Sequence, residues 1–186
     1  LFENSILAFI ANNSVKRTRN SFSKISDLLS RYFVGLMIQI LVLFIIYTIV
    51  LLIFGINNAF VIAFICALMN LIPYVGPLIS GFLMMILTMT SNMGASFSEV
   101  VIPKTTYVMI GFIIGQLIDN FVSQPIIFSK SVKSHPLEIF IVIITSGLLF
   151  GVIGMVVAIP TYTAVKVILK EFLYDYKFVQ KLTKDL

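Results

Sequence analysis

The 186-residue chain is 59% hydrophobic and 11% charged, whereas soluble domains are about 45–50% apolar and about 25% charged. A water-soluble body of this size has too little interior to hide that much apolar surface. Neither the segment between Arg31 and Glu99 nor residues 139–165 contain any Asp, Glu, Lys or Arg. Charge-free runs beyond about 18 residues are typical of membrane-spanning helices. The chain is therefore predicted to be an all-α integral membrane protein with several spans.

The same composition excludes several classes of protein. A single cysteine, Cys66, cannot form an intrachain disulfide, and one cysteine with one histidine gives no zinc-site spacing. No phosphate-binding glycine loop or zinc-protease motif is present, and no nucleophile–base pair can be assembled. We expect no enzyme activity, no metal and no cofactor. The net charge of +5 is assigned to cytoplasmic loops and anionic lipids rather than to nucleic acid.

The first 32 residues are mixed in character. Apolar side chains recur there at helical spacing with charged residues between them, which predicts an amphipathic helix leading into the membrane: Phe22, Ile25, Leu28, Leu29 and Tyr32. The basic segment 16–20 is interpreted as a cytoplasmic connection before that helix. Residues 33–54 form an apolar run with Gln39 as its one strongly polar member. They would reach about 33 Å as a helix, enough to cross a bilayer.

The apolar stretch 59–90, called the first hairpin below, is too long for one span. Pro73-Tyr74-Val75-Gly76-Pro77 interrupts it near the middle, and each half would be only about 20 Å long as a helix. This predicts either two short spans or a re-entrant hairpin. Irregular backbone in lipid must lie against protein or a water-filled cavity. The break, with Asn70 just before it, is therefore a candidate for a solute path, the alternative being a plain loop.

A further span is predicted over residues 100–118, after a polar loop at 91–99. Gly111 and Gly115 share one helical face with Asp119, and glycines at this spacing predict close contact with another helix. That contact would turn Asp119 toward protein, where an intramembrane carboxylate is a candidate for coupling to protons or cations. The alternative is that Asp119 simply ends the span in interfacial water.

The last apolar block, residues 137–173, is called the second hairpin because glycines and a proline interrupt it as well. Three glycines in its first half are assigned to packing or to a turn: Gly147, Gly151 and Gly154. Pro160 is predicted to kink the second half. Pro136 suits the first helical position and Glu138 the first turn, so a helix is expected to start there. A pH-sensing role for His135 is the alternative interpretation of this segment.

Basic residues determine the predicted topology. The N-terminal arm, the loop at 119–136 and the C-terminal tail, which begins with Lys166 and Lys170, are basic and are placed in the cytoplasm. The first hairpin then enters and leaves from the outer face, and the second from the inner face. Two interrupted hairpins of opposite orientation indicate the central site of a transporter. The expected domains are an interfacial arm, a transmembrane transport domain and a basic tail: residues 1–32, 33–173 and 174–186.

Three segments carry a resemblance to a known family. They are Asn70-Leu71-Ile72-Pro73-Tyr74-Val75-Gly76-Pro77, then Asp119-Asn120-Phe121-Val122-Ser123-Gln124-Pro125, and a stretch from His135-Pro136-Leu137 through Gly147, Phe150-Gly151 and Gly154 to Ala158-Ile159-Pro160. In order and spacing they resemble the autoinducer-2 exporter family, also called PerM-like permeases, across roughly residues 25–173. The chain departs from the family at Phe128-Ser129-Lys130, where members often have a glycine-containing turn.

The resemblance implies a bacterial inner-membrane protein of about eight segments, the first two of which would precede Leu1. It implies a homo-oligomer, with five copies as the expected number. It also implies export of the quorum-sensing furanone autoinducer-2, while some members are similar to sodium/proton antiporters. The expected partners are therefore a small-molecule solute, membrane lipids and further copies of the chain.

Three hypotheses for function follow. In the first, a small polar organic solute is exported along a path lined or shaped by Asn70, Pro73, Tyr74, Gly76, Pro77, Asn120, Gln124 and Pro125. Hinge or packing roles would then fall to Gly111, Gly115, Pro136, Gly147, Gly151, Gly154 and Pro160. In the second, the chain is a cation/proton antiporter with Asp119 as the carrier carboxylate. In the third, it is a membrane scaffold without transport activity.

Overall fold

The computed structural model describes residues 12–72, 74–124 and 135–173, together with 179, 180 and 183. Its regular elements within these ranges are all helical: α1 Asn12–Ile53, α2 Ala59–Met69, α3 Val75–Ser91, α4 Ile102–Ile118 and α5 Pro136–Phe172. Two wider, π-helical turns flank α4, Phe97–Val101 before it and Asp119–Ser123 after it. The predicted all-α fold is confirmed.

Three helical stretches are long and apolar enough to cross a membrane: Thr18–Ile53, Phe97–Ser123 and Leu137–Phe172. Their outward side chains are largely aliphatic or aromatic and exposed, as lipid-facing surfaces require. Helices α2 and α3 are shorter apolar helices. The chain is a multi-pass membrane protein.

The chain divides into two compact units. The central unit is Gly35–Ile127, and the terminal unit combines Leu1–Val34 with Phe128–Leu186. Helix α1 is continuous across residue 32, and the boundary between an interfacial arm and a transmembrane domain there stays a prediction. The basic segment 16–20 lies inside α1 instead of forming a connection, because no proline or glycine interrupts the helix there.

The first hairpin is an antiparallel pair of helices in the central unit. The amide of Asn57 donates to the Ser91 hydroxyl at 3.0 Å near its open end, and the Cys66 thiol donates to the Ser80 carbonyl at 3.5 Å further along. Helix α2 has 11 residues and is about 17 Å long, roughly half the hydrocarbon thickness. This length favours the re-entrant interpretation over two full spans.

The break between α2 and α3 depends on close backbone approach. Tyr74 has a φ of 66°, in the region that side chains rarely adopt. A Cβ atom on Gly76 would collide with the carbonyl oxygen of Met69, so only glycine fits this position. Pro73 itself lies outside the described residues.

Helices α1 and α4 pack closely in the central unit, at the glycine face predicted from the sequence. A Cβ on Gly111 would meet the Val50 side chain, and one on Gly115 would lie 3.0 Å from Ile46 and 3.2 Å from Tyr47. The Tyr47 ring stacks on Phe112 with centroids 5.2 Å apart. Small residues thus allow α4 to approach α1 over the two helical turns that precede Asp119.

The second hairpin is formed by α5, which folds back on itself at Gly151. This residue has φ 64° and ψ −150°, a conformation essentially reserved for glycine. The Tyr162 hydroxyl donates to a Glu138 carboxylate oxygen at 2.8 Å, although these residues would be about 36 Å apart along a straight helix. The backbone keeps helical dihedral angles at Pro160, so the fold-back occurs at the glycine, while the kink at Pro160 stays a prediction.

Some predicted boundaries are wrong. The expected loop at 119–136 starts later, because the π-helical turn continues the helix to Ser123 and buries Asp119. The expected loop at 91–99 likewise gives way to helix from Phe97. Lys166 is not part of a solvated tail: it lies in α5 with its side chain 2% exposed. Helix α5 does begin at Pro136, as predicted, with His135 accepting a hydrogen bond from the Leu137 amide.

The fold-back at Gly151 makes a testable prediction. Spin labels at the exposed positions 137 and 165 should give a distance below about 20 Å, whereas a straight helix would place them about 42 Å apart. Gly151→Ala should broaden the distribution toward the long distance, since the Cβ is strained in this conformation. Pulsed electron paramagnetic resonance measures the label-to-label distance distribution of the parent and of the variant. The exposed position 149 supplies the control, and a Leu149→Ala protein that broadens equally would contradict the assignment.

Candidate functional site

Most of the buried polar side chains of the central unit gather in two neighbouring clusters. The first, called the amide cluster, contains Tyr47, Asn70, Ser80 and Gln116. The second, called the carboxylate cluster, contains Gln39, Asp119, Asn120 and Gln124. Gln116 and Asp119 join the two, because they lie three residues apart on consecutive turns of the same helix.

The amide cluster ties together all four helices of the central unit. Gln116 Nε2 on α4 donates to the Tyr47 hydroxyl of α1 at 2.7 Å and to Asn70 Oδ1 at 2.9 Å. Asn70 Nδ2 in turn donates to the Ser80 hydroxyl of α3 at 3.1 Å and to the Cys66 carbonyl of α2 at 2.9 Å. Asn70 directly follows α2, so the hydrogen bonds of the cluster anchor the chain at the break in the first hairpin.

The carboxylate cluster surrounds a fully buried acid. Asp119 is 0% exposed, and its Oδ2 accepts from Gln39 Nε2 at 2.8 Å and from Gln124 Nε2 at 3.0 Å. Gln124 also donates to Asn120 Oδ1 at 2.9 Å. The π-helical turn makes this possible, since its wider winding brings residues five apart onto one face. In the part of the chain that the structure describes, no Lys or Arg forms an ion pair with Asp119.

The two clusters are short of hydrogen-bond donors. Three buried acceptors have no partner among the described residues: Gln39 Oε1, Gln116 Oε1 and Asp119 Oδ1. Buried polar atoms in proteins are nearly always satisfied, and exceptions indicate a functional site or an unseen partner. The partner here must bring O–H or N–H groups, a proton or a cation, because each open position is an oxygen that accepts.

Stability alone gives little reason for such a cluster in lipid. Side-chain hydrogen bonds between membrane helices are worth about 0.6 kcal/mol on average, and apolar residues would pack the same interface without unsatisfied atoms. An ionisable side chain inside a membrane segment marks a functional site by default. We therefore treat the two clusters together as the candidate site.

The residues predicted from the sequence are only partly brought together. Asn70 and Asp119 lie buried in the clusters, and Asn120 and Gln124 form the more exposed edge of the second one. Tyr74 is 46% exposed and contributes no side chain to either cluster. The side chains of Pro73, Pro125 and Pro136 are outside the description.

The residues that complete the clusters are not among those predicted from the sequence. They are Gln39, Tyr47, Ser80 and Gln116, all of them buried. Each is a polar residue inside an apolar run, and that is the signal that identifies them. Gln39 and Tyr47 lie eight residues apart, close to two helical turns, and so share one face of α1.

A separate polar cluster closes the second hairpin in the terminal unit. Glu138 accepts from the Tyr162 hydroxyl and lies 3.4 Å from the Lys166 ammonium. Lys166 also stands 5.5 Å from the centre of the Tyr162 ring. These contacts join the two halves of α5, so we interpret them as stabilising the folded-back hairpin. Within the described ranges, no three His, Cys, Asp or Glu residues come close enough to hold a metal ion.

The central role of Gln116 leads to a second prediction. Gln116→Leu leaves Tyr47 Oη and Asn70 Oδ1 without their donor, and a buried group left unsatisfied costs about 1–3 kcal/mol. A double-mutant cycle with Tyr47→Phe should give a coupling near 0.6 kcal/mol, measured by reversible unfolding in mixed micelles. Thr106→Ala, whose hydroxyl bonds only within its own helix, is the control. Zero coupling would contradict the observed hydrogen bond.

Comparison with known proteins is consistent with a transport role. The family described as AI-2E family transporters matches residues 1–174. The chain is 30% identical to the "Putative transport protein YueF" of Bacillus subtilis (strain 168) over 148 residues, which is 78% of the chain and 37% of that protein. It is 27% identical to the "Putative transport protein YrrI" of the same organism over 166 residues, 89% of the chain and 44% of that protein.

A third relative is the "Putative transport protein MT0215" of Mycobacterium tuberculosis (strain CDC 1551 / Oshkosh), 26% identical over 91 residues, 48% of the chain and 22% of that protein. No solved structure matches. The chain spans less than half the length of these curated relatives. Since the family match covers nearly the whole chain, the chain belongs to the AI-2E family of transporters.

Proposed function

We propose that the chain forms membrane segments of a secondary transporter that exports a small polar organic solute, such as a furanone of the autoinducer-2 type. The observation that carries this proposal is that the two polar clusters, buried within otherwise apolar helices, contain three acceptor oxygens without a donor. Family membership and the names of the relatives support transport in general. The solute class comes from the chemistry of the clusters and from the family resemblance.

The clusters suit a neutral solute that is rich in hydroxyl groups. Such a solute offers O–H donors to the three open acceptors, while one of its own oxygens accepts from the second amide hydrogen of Gln39, since only one is used within the cluster. Pockets for small molecules typically fix their ligand by a few well-placed polar groups in an apolar wall. A charged solute would need a matching cation or anion, and Asp119 is the one acidic or basic side chain in the clusters.

Access to the three open acceptors requires movement, because Gln39, Gln116 and Asp119 are buried. The smallest movement consistent with the contacts separates Asn70 from Gln116, which frees the break of the first hairpin from α4. That step loses a hydrogen bond worth about 0.6 kcal/mol, which solute contacts readily replace. Transporters with interrupted helices commonly bind their substrate at such breaks.

We also propose that the protein lies in the bacterial plasma membrane and works as a homo-oligomer. The exposed apolar side chains of α1, α4 and α5 supply ample surface for lipid and for further copies. Five copies is the number that the family resemblance implies. Quorum sensing would be the corresponding biological role.

The proposal predicts a loss of export when the hairpin break is altered. Asn70→Ala should lower export at least about tenfold, because the break loses its bonds to both Ser80 and Gln116. Leu78→Ala, at a site that is 76% exposed on the same hairpin, should export normally. Intracellular and extracellular autoinducer-2 are measured in deletion strains that carry each variant at equal protein level. Equal export by the deletion and the restored strain would reject the proposed solute.

The second candidate function is cation/proton antiport through Asp119. The observation that favours it is the open Oδ1 of a carboxylate without a paired cation among the described residues. Asp119→Asn keeps the shape and should abolish sodium-dependent proton movement in vesicles, measured with a pH-sensitive dye. Solute export that survives in this variant would separate the two functions.

Asn120→Asp is the matched control for the antiport assay. It adds a carboxylate one residue away, at the exposed edge of the cluster, and should not rescue Asp119→Asn because it cannot take the same buried position. Solute or ion flux that appears when purified protein is added to liposomes would remove the remaining hypothesis of a scaffold without transport.

A further inference from the structure

A cavity outside the two clusters lies at the open end of the first hairpin. Its volume is about 450 Å³, and it is enclosed by the end of α3, the loop after it and the π-helical turn before α4. Most of its wall is apolar, formed by Ile86, Met89, Met93, Phe97 and Val101. The volume falls in the range of small-molecule sites, about 300–1,000 Å³.

The polar atoms of this wall are already engaged. The Thr90 hydroxyl donates to the Leu87 carbonyl at 3.0 Å, and Asn92 Nδ2 donates to the Thr88 carbonyl at 2.9 Å. Asn92 Oδ1 accepts from the Lys104 ammonium at 3.4 Å. The interior of the cavity therefore has little to offer a polar group and suits an apolar chain.

The Lys104 ammonium lies beside this cavity and can donate further hydrogen bonds. It is the only Lys or Arg between Arg31 and Lys130 in the sequence. An ammonium group has three donors, and the hydrogen bond to Asn92 uses one. Among the described residues no carboxylate forms an ion pair with Lys104. The one nearby acid in the sequence, Glu99, is exposed and does not line the cavity.

The mouth of the cavity is open. Gly94 has a φ of 102°, and nothing lies within 4 Å of the Cβ that a larger residue would have there. Met93 is 79% exposed and Phe97 60% exposed. Both lie in the segment 91–99, which the charge pattern predicts to be outside the membrane, and lysine side chains near the ends of spans reach toward headgroups.

From this combination we propose that the cavity is a binding site for an anionic phospholipid. One acyl chain occupies the apolar cavity, and the phosphate of the headgroup accepts hydrogen bonds from Lys104. The charge complementarity distinguishes this site from the remaining lipid-facing surface of the central unit, which carries no other Lys or Arg up to Lys130. A neutral or zwitterionic lipid gains the apolar contact but less from the ammonium group.

The test uses tryptophan fluorescence, because the 186 residues contain no tryptophan. Phe97→Trp in the full-length protein reports on the cavity, and the emission of the parent protein is subtracted. Vesicles contain brominated phosphatidylglycerol or brominated phosphatidylcholine with the same acyl chains. We expect the anionic lipid to quench this cavity reporter at about fivefold lower mole fraction, the effect of one lysine near a membrane surface.

Matched variants make the result decisive. Adding Lys104→Gln to the cavity reporter should remove the preference, and Lys104→Arg should retain it. Ile114→Trp, on an exposed face away from the cavity, should be quenched equally by both lipids. Equal quenching of the cavity reporter by both lipids, or a preference that survives Lys104→Gln, would overturn the proposal. Absence of quenching by either lipid would also overturn it, because protein, such as a second copy, would then cover the cavity.

Discussion

The rest of the central unit depends on one constraint: hydrocarbon supplies no hydrogen bonds, so its buried polar groups must find partners on neighbouring helices. Gln116 meets this constraint for α1 and for the end of α2 at once, through Tyr47 and Asn70. Gln39 does the same for Asp119. The glycines of α4 bring the helices close enough for these short side chains to meet. Packing and polar contacts therefore specify the same arrangement.

The two hairpins differ in the contacts that stabilise them where the helix is interrupted. The first ends α2 at Asn70, whose side chain bonds across the break to α3 and α4. The second turns at Gly151, where no side chain is needed, and is held at its far end by Glu138, Tyr162 and Lys166. Only the first hairpin carries its polar contacts at the break itself, within the residues that the structure describes. This difference explains why the candidate site is assigned to the central unit.

Much of the fold could be predicted because charge-free length and the positions of glycine and proline are local properties of the sequence. The turn at Gly151 and the glycine face of α4 are examples. The π-helical turn at Asp119 cannot be predicted, because polar residues after an apolar run look the same whether they continue the helix or end it. The partners of Asp119 cannot be predicted for another reason: Gln39 lies 80 residues away, and pairing over that distance depends on packing. The burial of Lys166 could not be predicted either, because its partner Glu138 lies 28 residues earlier in the chain.

The wide turn at Asp119–Ser123 holds one residue more than regular helical winding would. Tightening it to ordinary α-helix would rotate Gln124 by about 100° relative to Asp119. The carboxylate would then lose one of its two amide partners without any helix leaving the membrane. The extra residue of this turn therefore decides whether the Gln124 amide faces the carboxylate, and so whether Asp119 Oδ2 accepts from two amide groups or from Gln39 alone.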